Sequence, residues 1–124
     1  MRSIFVRLIA AAAVAGTVTV GAASTANAHG PCRAGFFCAF DGNDYSGELL
    51  ESNAPAGSDH ISVARDRVNS GINHTANYWC AVNDGFPGDQ TIWSFAPGSH
   101  VRTMGAQYNK TDWFYVRTRA QQCD

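Results

Sequence analysis

Residues 38–55 read CAFDGNDYSGELLESNAP, and forty-two residues later the chain reads CAVNDGFPGDQTIWSFAP. The two stretches align without a gap, matching Cys38 with Cys80, Ala39 with Ala81, Ser52 with Ser94, Ala54 with Ala96 and Pro55 with Pro97. Propeller blades and solenoid units of similar period need three or more copies to bury their faces. Two copies point instead to a domain with approximate twofold symmetry, in which neither half buries its inner face alone.

Inside each copy the apolar runs are short, Asp, Gly, Asn and Pro punctuate them, and no helical period is sustained. The spacing predicts strands over 36–40, 48–53, 60–64 and 72–75 in a first repeat of about 36–77. A second repeat of about 78–124 repeats the pattern at 78–82, 90–95, 100–104 and 113–118, between the turn sequences NDGFPG, APGS and GAQYNKTD. Eight such strands read as an all-β sandwich of two four-stranded Greek-key motifs, one sheet per repeat, face to face. Leu49, Leu50, Ile61, Val63, Ile92, Trp93, Phe95 and Val101 are the inward candidates.

The first seven residues carry Arg2 and Arg7, an alanine-rich apolar run follows to about Ser24, and small residues stand at Ala26 and Ala28. That is the pattern of a secretory signal peptide over 1–28, cleaved after Ala28. The run is interrupted by Gly and Thr and no basic cluster follows it, so no membrane anchor is expected after cleavage. The secreted chain is then 29–124, a single domain by length with a thin core. It loses two of the nine Lys and Arg and keeps all ten Asp and Glu, a net charge of 7 − 10 = −3 with neutral His. No basic stripe interleaves with the aromatics, which excludes nucleic acid as an expected partner.

All four cysteines, Cys32, Cys38, Cys80 and Cys123, lie in the exported part, where two disulfides are the default reading. Three pairings exist. The favoured one joins Cys32 with Cys38 across CRAGFFC and Cys80 with Cys123 at the chain end, although spacing alone leaves the others open. Zinc is disfavoured because no CxxC pair occurs and an oxidising compartment does not preserve thiolates.

The stretch FDGNDYSG spaces Phe40, Tyr45 and Gly47 in a way that resembles the βγ-crystallin Greek-key signature. There a glycine supplies a positive φ while two aromatics clamp a loop that folds back over the sheet. The second copy is looser, with Val82 in the place of Phe40 and the sequence FPG supplying Phe86 and Gly88. Together with the leader, the opening CRAGFFCAF, of pattern CxxGxxCxF, and a second half built around a Cys-initiated strand are similar to the Streptomyces-type metalloproteinase inhibitor family. The matching residues are Cys32, Gly35, Cys38, Phe40, Tyr45 and Gly47.

The resemblance implies a secreted, monomeric inhibitor of extracellular metalloendopeptidases that presents a rigid, substrate-like loop. A segment already held in that geometry loses little conformational freedom on binding. In inhibiting members the loop lies early in the second repeat between two nearby cysteines. Here only the first, Cys80, is present, which makes Cys80, Ala81, Val82, Asn83, Asp84, Gly85 and Phe86 the candidate loop. The alternative implied by the fold is a calcium-binding or killer-toxin-like cell-surface module. Its weak calcium candidates are Asp66 and Ser70 in RDRVNS and Asn109 in YNKTDW, since hard cations take oxygen ligands; otherwise no cofactor is expected.

Catalysis needs converging groups, and none has recognisable spacing: no HExxH occurs and no Ser or Cys nucleophile has an identifiable base. The chain is not expected to be an enzyme. Of the histidines His29, His60, His74 and His100, His60 and His100 occupy comparable places in the two repeats and are expected on opposite sides. The sequons at Asn73 and Asn109 read as turns. Trp79, Trp93 and Trp113 read as core and corner residues rather than a sugar-stacking platform.

Overall fold

The computed structural model describes residues 31–124. The leader over 1–28, its cleavage site and His29 lie outside the described residues. All eight predicted strands occur: β1 (Phe37–Phe40), β2 (Leu50–Ser52), β3 (Ile61–Ser62), β4 (Ser70–Asn73), β5 (Tyr78–Asn83), β6 (Gln90–Phe95), β7 (His100–Val101) and β8 (Trp113–Arg117). Among the described residues one 3-10 turn, Gly105–Gln107, follows β7.

The strands form two four-stranded sheets of order β2-β1-β4-β7 and β3-β8-β5-β6, and every pairing is antiparallel. This corrects one expectation. A repeat does not make a sheet of its own: its first, second and fourth strands stay together, and its third crosses to the other sheet. Thus β3 pairs with β8, Ile61 opposite Phe114, while β7 pairs with β4, Val101 opposite Gly71. The exchange interlocks the halves and leaves each third strand only two residues long.

The twofold relationship extends to the turns. Gly57 donates its amide to Val116 O at 2.9 Å and Ser58 O accepts from Val116 N at 2.9 Å. In the other half Gly98 donates to Asn73 O at 2.8 Å and Ser99 O accepts from Asn73 N at 2.9 Å. Gly57 and Gly98 have φ of 90° and 76°, a backbone that glycine adopts without steric penalty.

The central strands are buried on both faces. Phe37 and Ala39 of β1, Trp79 and Ala81 of β5, Phe95 of β6, and Phe114 and Val116 of β8 meet between the sheets with Val68 and Met104. Phe37 stacks on Trp79 at 4.4 Å between centroids and meets Phe114 and Phe95 edge-on at 5.0 and 5.2 Å. Each such ring contributes about 1.5–3 kcal/mol by leaving water. Of the inward candidates, Phe95 is fully buried; Leu49, Leu50, Ile61, Val63, Ile92, Trp93 and Val101 are half-buried at the margin of the same core.

The alternate residues of β1 and β5 point outward and are covered in matching ways. Cys38 and Phe40 lie with Cys32 and Ile72 under Phe36 and Tyr45, and Cys80 and Val82 lie with Tyr115 under Tyr78, Trp113 and Cys123. The disulfides are Cys32–Cys38 and Cys80–Cys123, the pairing favoured from the sequence, and one belongs to each outer cluster. Each bridge therefore roofs the outer face of a central strand.

Candidate functional site

The segments after β1 and β5 are equivalent in the two repeats and have opposite fates. After β1 the chain folds back over its sheet. Asp44, Tyr45 and Gly47 have φ of 54°, 61° and 65°, and Tyr45 meets Phe40 edge-on at 6.0 Å. Ser70 Oγ donates to Gly42 O at 2.6 Å and accepts from Tyr45 N at 3.1 Å. Asp44 donates its amide to Arg102 O at 2.9 Å, and its carboxylate accepts from Arg102 Nε at 2.7 Å. Phe40, Tyr45 and Gly47 thus have the roles expected of them.

After β5 no such closure forms. Val82 offers no ring to clamp against, Gly88 is not among the residues with positive φ, and Phe86 is 100% exposed. Residues 84–89, Asp-Gly-Phe-Pro-Gly-Asp, make a six-residue hairpin loop between Asn83 and Gln90, the last pair of the β5–β6 ladder. The pairing skips Ile92, a bulge between Ala81 and Val82 that twists the strands next to the loop.

Two contacts fix the loop at its base. Asp84 donates its amide to Asp112 Oδ2 at 2.8 Å, and Asp112 donates its own amide to Val82 O at 2.8 Å. The Asp112 side chain is only 7% exposed, and its Oδ1 stands 3.6 Å from Arg65 Nε, close enough for charge pairing and too long for a hydrogen bond. Asp89 closes the other side. The hydrogen bond that the protonated Asp89 carboxyl donates to the Asp84 carboxylate holds Asp89 above the usual carboxylate range, with desolvation and the Asp84 charge adding to the shift.

The candidate stretch 80–86 therefore divides. Cys80, Ala81 and Val82 are buried in the middle of β5, paired to β6 on one side and β8 on the other, so they cannot enter a protease cleft. Asn83 ends the strand, and only Asp84, Gly85 and Phe86 stand clear of it. Pro87, Gly88 and Asp89, absent from the expectation, complete the exposed loop. The internal repeat carried the needed signal: Cys80 to Val82 align with Cys38 to Phe40, a strand.

The calcium candidates have structural engagements. Ser70 is fully buried with its hydroxyl used as described, and Asn109 exchanges hydrogen bonds with Asn69 through its amide and Oδ1 at 2.9 and 3.1 Å. Asp66 is exposed in a turn with φ of 54°. Among the described residues no group of three or more His, Cys, Asp or Glu side chains is placed to hold a metal ion.

Asn73 is buried, donating Nδ2 to Asn77 O and Phe95 O at 2.8 Å each. Trp79 is in the core, Trp93 at its margin, and Trp113 outside against His60 at 4.2 Å, so the three indoles share no surface. His60 and His100 lie apart as expected, His60 on Trp113 of the second sheet and His100 on β7 of the first. Among the described residues no helix is long and apolar enough to cross a membrane.

The described residues thus form a disulfide-bonded pair of sheets whose most exposed large apolar group, Phe86, stands on a tethered hairpin. Residues 25–85 match the model of peptidase inhibitor family I36, of the Streptomyces metalloproteinase inhibitor type. Over those residues, just under half of the 124, the chain is similar to that family, whose members are non-enzymatic inhibitors with proteases as partners. The matched segment runs through the first repeat and β5 and ends inside the hairpin loop. Comparison with curated proteins and with solved structures gave no match.

Proposed function

We propose that the chain is exported and, as a monomer, inhibits extracellular metalloendopeptidases by inserting the hairpin loop 84–89 into the active-site cleft. The observation that carries this reading is Phe86, fully exposed on a loop whose two ends are held by a strand ladder. A large apolar side chain in water has free energy to release on entering a pocket, about 1.5–3 kcal/mol for a phenylalanine. The strand ends and the Asp112 tether limit the ordering entropy lost on binding. They supply the constraint that a second cysteine after Cys80 would otherwise provide.

The test is a titration of a thermolysin-like metalloendopeptidase with the oxidised protein and with a variant whose residues 84–88 are replaced by Gly and Ser. Stoichiometric inhibition that disappears on replacement is expected. Inhibition that survives the replacement would move the site elsewhere. Inhibition restricted to a serine protease would overturn the metalloendopeptidase assignment.

A further inference from the structure

His74 and His100 come together on the outer face of the first sheet. His100 opens β7, the edge strand, opposite Ile72 of β4, and His74 lies just beyond the end of β4. The two are diagonal neighbours on one face, a separation that long side chains bridge. Their Nε2 atoms are 3.2 Å apart.

His74 Nδ1 lies 3.2 Å from Arg33 O. A carbonyl only accepts, so this nitrogen carries the hydrogen, and in the neutral ring the Nε2 lone pair faces His100. A second hydrogen bond, from His74 N to Phe36 O at 2.9 Å, fixes the backbone beneath the ring. Donation from the far ring nitrogen to a backbone carbonyl is the arrangement that orients metal-binding histidines and makes them more basic.

We propose that His74 and His100 form a bidentate site for a borderline divalent ion such as Zn2+ or Ni2+. Two imidazole nitrogens about 2.0–2.1 Å from one tetrahedral ion stand about 3.3–3.4 Å apart, and the observed 3.2 Å needs almost no movement. In the metal-free protein the hydrogen between the rings belongs to His100 Nε2. Binding moves it to His100 Nδ1, and the ion takes its place between the two lone pairs. Among the described residues no third His, Cys, Asp or Glu completes the set. Imidazole donors favour zinc, nickel and copper over calcium and magnesium. The site is independent of the protease-binding loop, which belongs to the other sheet.

Calorimetric titration of the oxidised protein with Zn2+ and with Ni2+ near neutral pH tests this, with melting temperature as a second readout. Saturable binding of one ion is expected, raising the melting temperature because the ion binds the native state. His74→Ala and His100→Ala are each expected to weaken binding at least about tenfold, and His60→Ala to leave it unchanged. His100 is exposed, so His100→Ala folds and serves as the decisive variant. Absence of binding at millimolar ion, or binding that persists in His100→Ala, would overturn the site.

Discussion

The backbone amide of Asp84 donates to the carboxylate of Asp112 at 2.8 Å, which ties the start of the exposed hairpin to the entry of the last strand. Asn69 is its counterpart in the other half. Asn69 N donates to Phe40 O at 2.8 Å as Asp112 N donates to Val82 O, and the Asn69 side-chain amide donates to Asp41 O. One position at the entry of each fourth strand thus holds the loop that follows each first strand.

Replacing Asp112 with alanine removes a charge-assisted acceptor and leaves Asp84 N without it. Such a bond contributes about 1.5–3 kcal/mol, so Asp112→Ala is expected to lower stability by that order and to loosen the loop. Asp112→Asn keeps an acceptor oxygen and is expected to recover most of the loss. Urea unfolding together with hydrogen exchange at Asp84 measures both; an Asp112→Ala protein with unchanged exchange would detach this residue from the loop.

Phe86 separates binding from folding because it touches nothing in the free protein. Phe86→Ala is expected to leave the melting temperature within about 1 °C, as surface substitutions do. In the proposed complex the ring is buried, and its loss is expected to weaken protease inhibition at least about tenfold. Parallel melting and inhibition measurements check this, and equal inhibition by the variant would remove Phe86 from the interface.

The eight strands and the first fold-back loop were legible because their signals are local. Gln90 to Phe95 was bounded to the residue, and Phe40, Tyr45 and Gly47 lie within eight positions of one another. The exchange of β3 and β7 was not legible, since strands of two residues carry little pattern and their partners are distant in sequence. Phe37 and Phe114 are core residues that were not legible, for another reason. Strands buried on both faces lose the alternation that marks an inner face. The candidate stretch 80–86 begins three residues inside β5 because the family pattern starts the loop at the cysteine, whereas the alignment of residues 80–82 with 38–40 marks them as strand. Asp112, and the His74–His100 pair, meet only in the folded chain.

Asp89 supplies a pH dependence. Its carboxyl group is held above the usual range chiefly by the hydrogen bond with Asp84, so the folded protein favours the protonated form. The stabilisation is complete below the unfolded-state pKa and is lost as pH rises through the higher folded-state value. The loop is therefore expected to be tightest in acid and to loosen toward neutrality as two carboxylates come to face each other. Exchange rates of the 84–89 amides, corrected for intrinsic pH effects, are expected to rise across that window in the native chain and to stay level in Asp89→Asn. A flat profile in both would show that the pair does not control the loop.

The two disulfides differ in what they close. Cys32 and Cys38 are 6 residues apart, and Cys80 and Cys123 are 43 apart. If the bridges act by restricting the unfolded chain, removal of the shorter costs about 2 kcal/mol and of the longer about 4 kcal/mol. The longer bridge also covers Val82 and Tyr115 and anchors the chain end, where Asp124 N donates to the Tyr115 hydroxyl at 3.3 Å. Cys80→Ala with Cys123→Ala is therefore expected to destabilise the protein more than Cys32→Ala with Cys38→Ala, measured by urea unfolding of the two double variants. The reverse order would mean that the roof over β1, with Phe40 and Tyr45 packed in it, contributes more than loop length does.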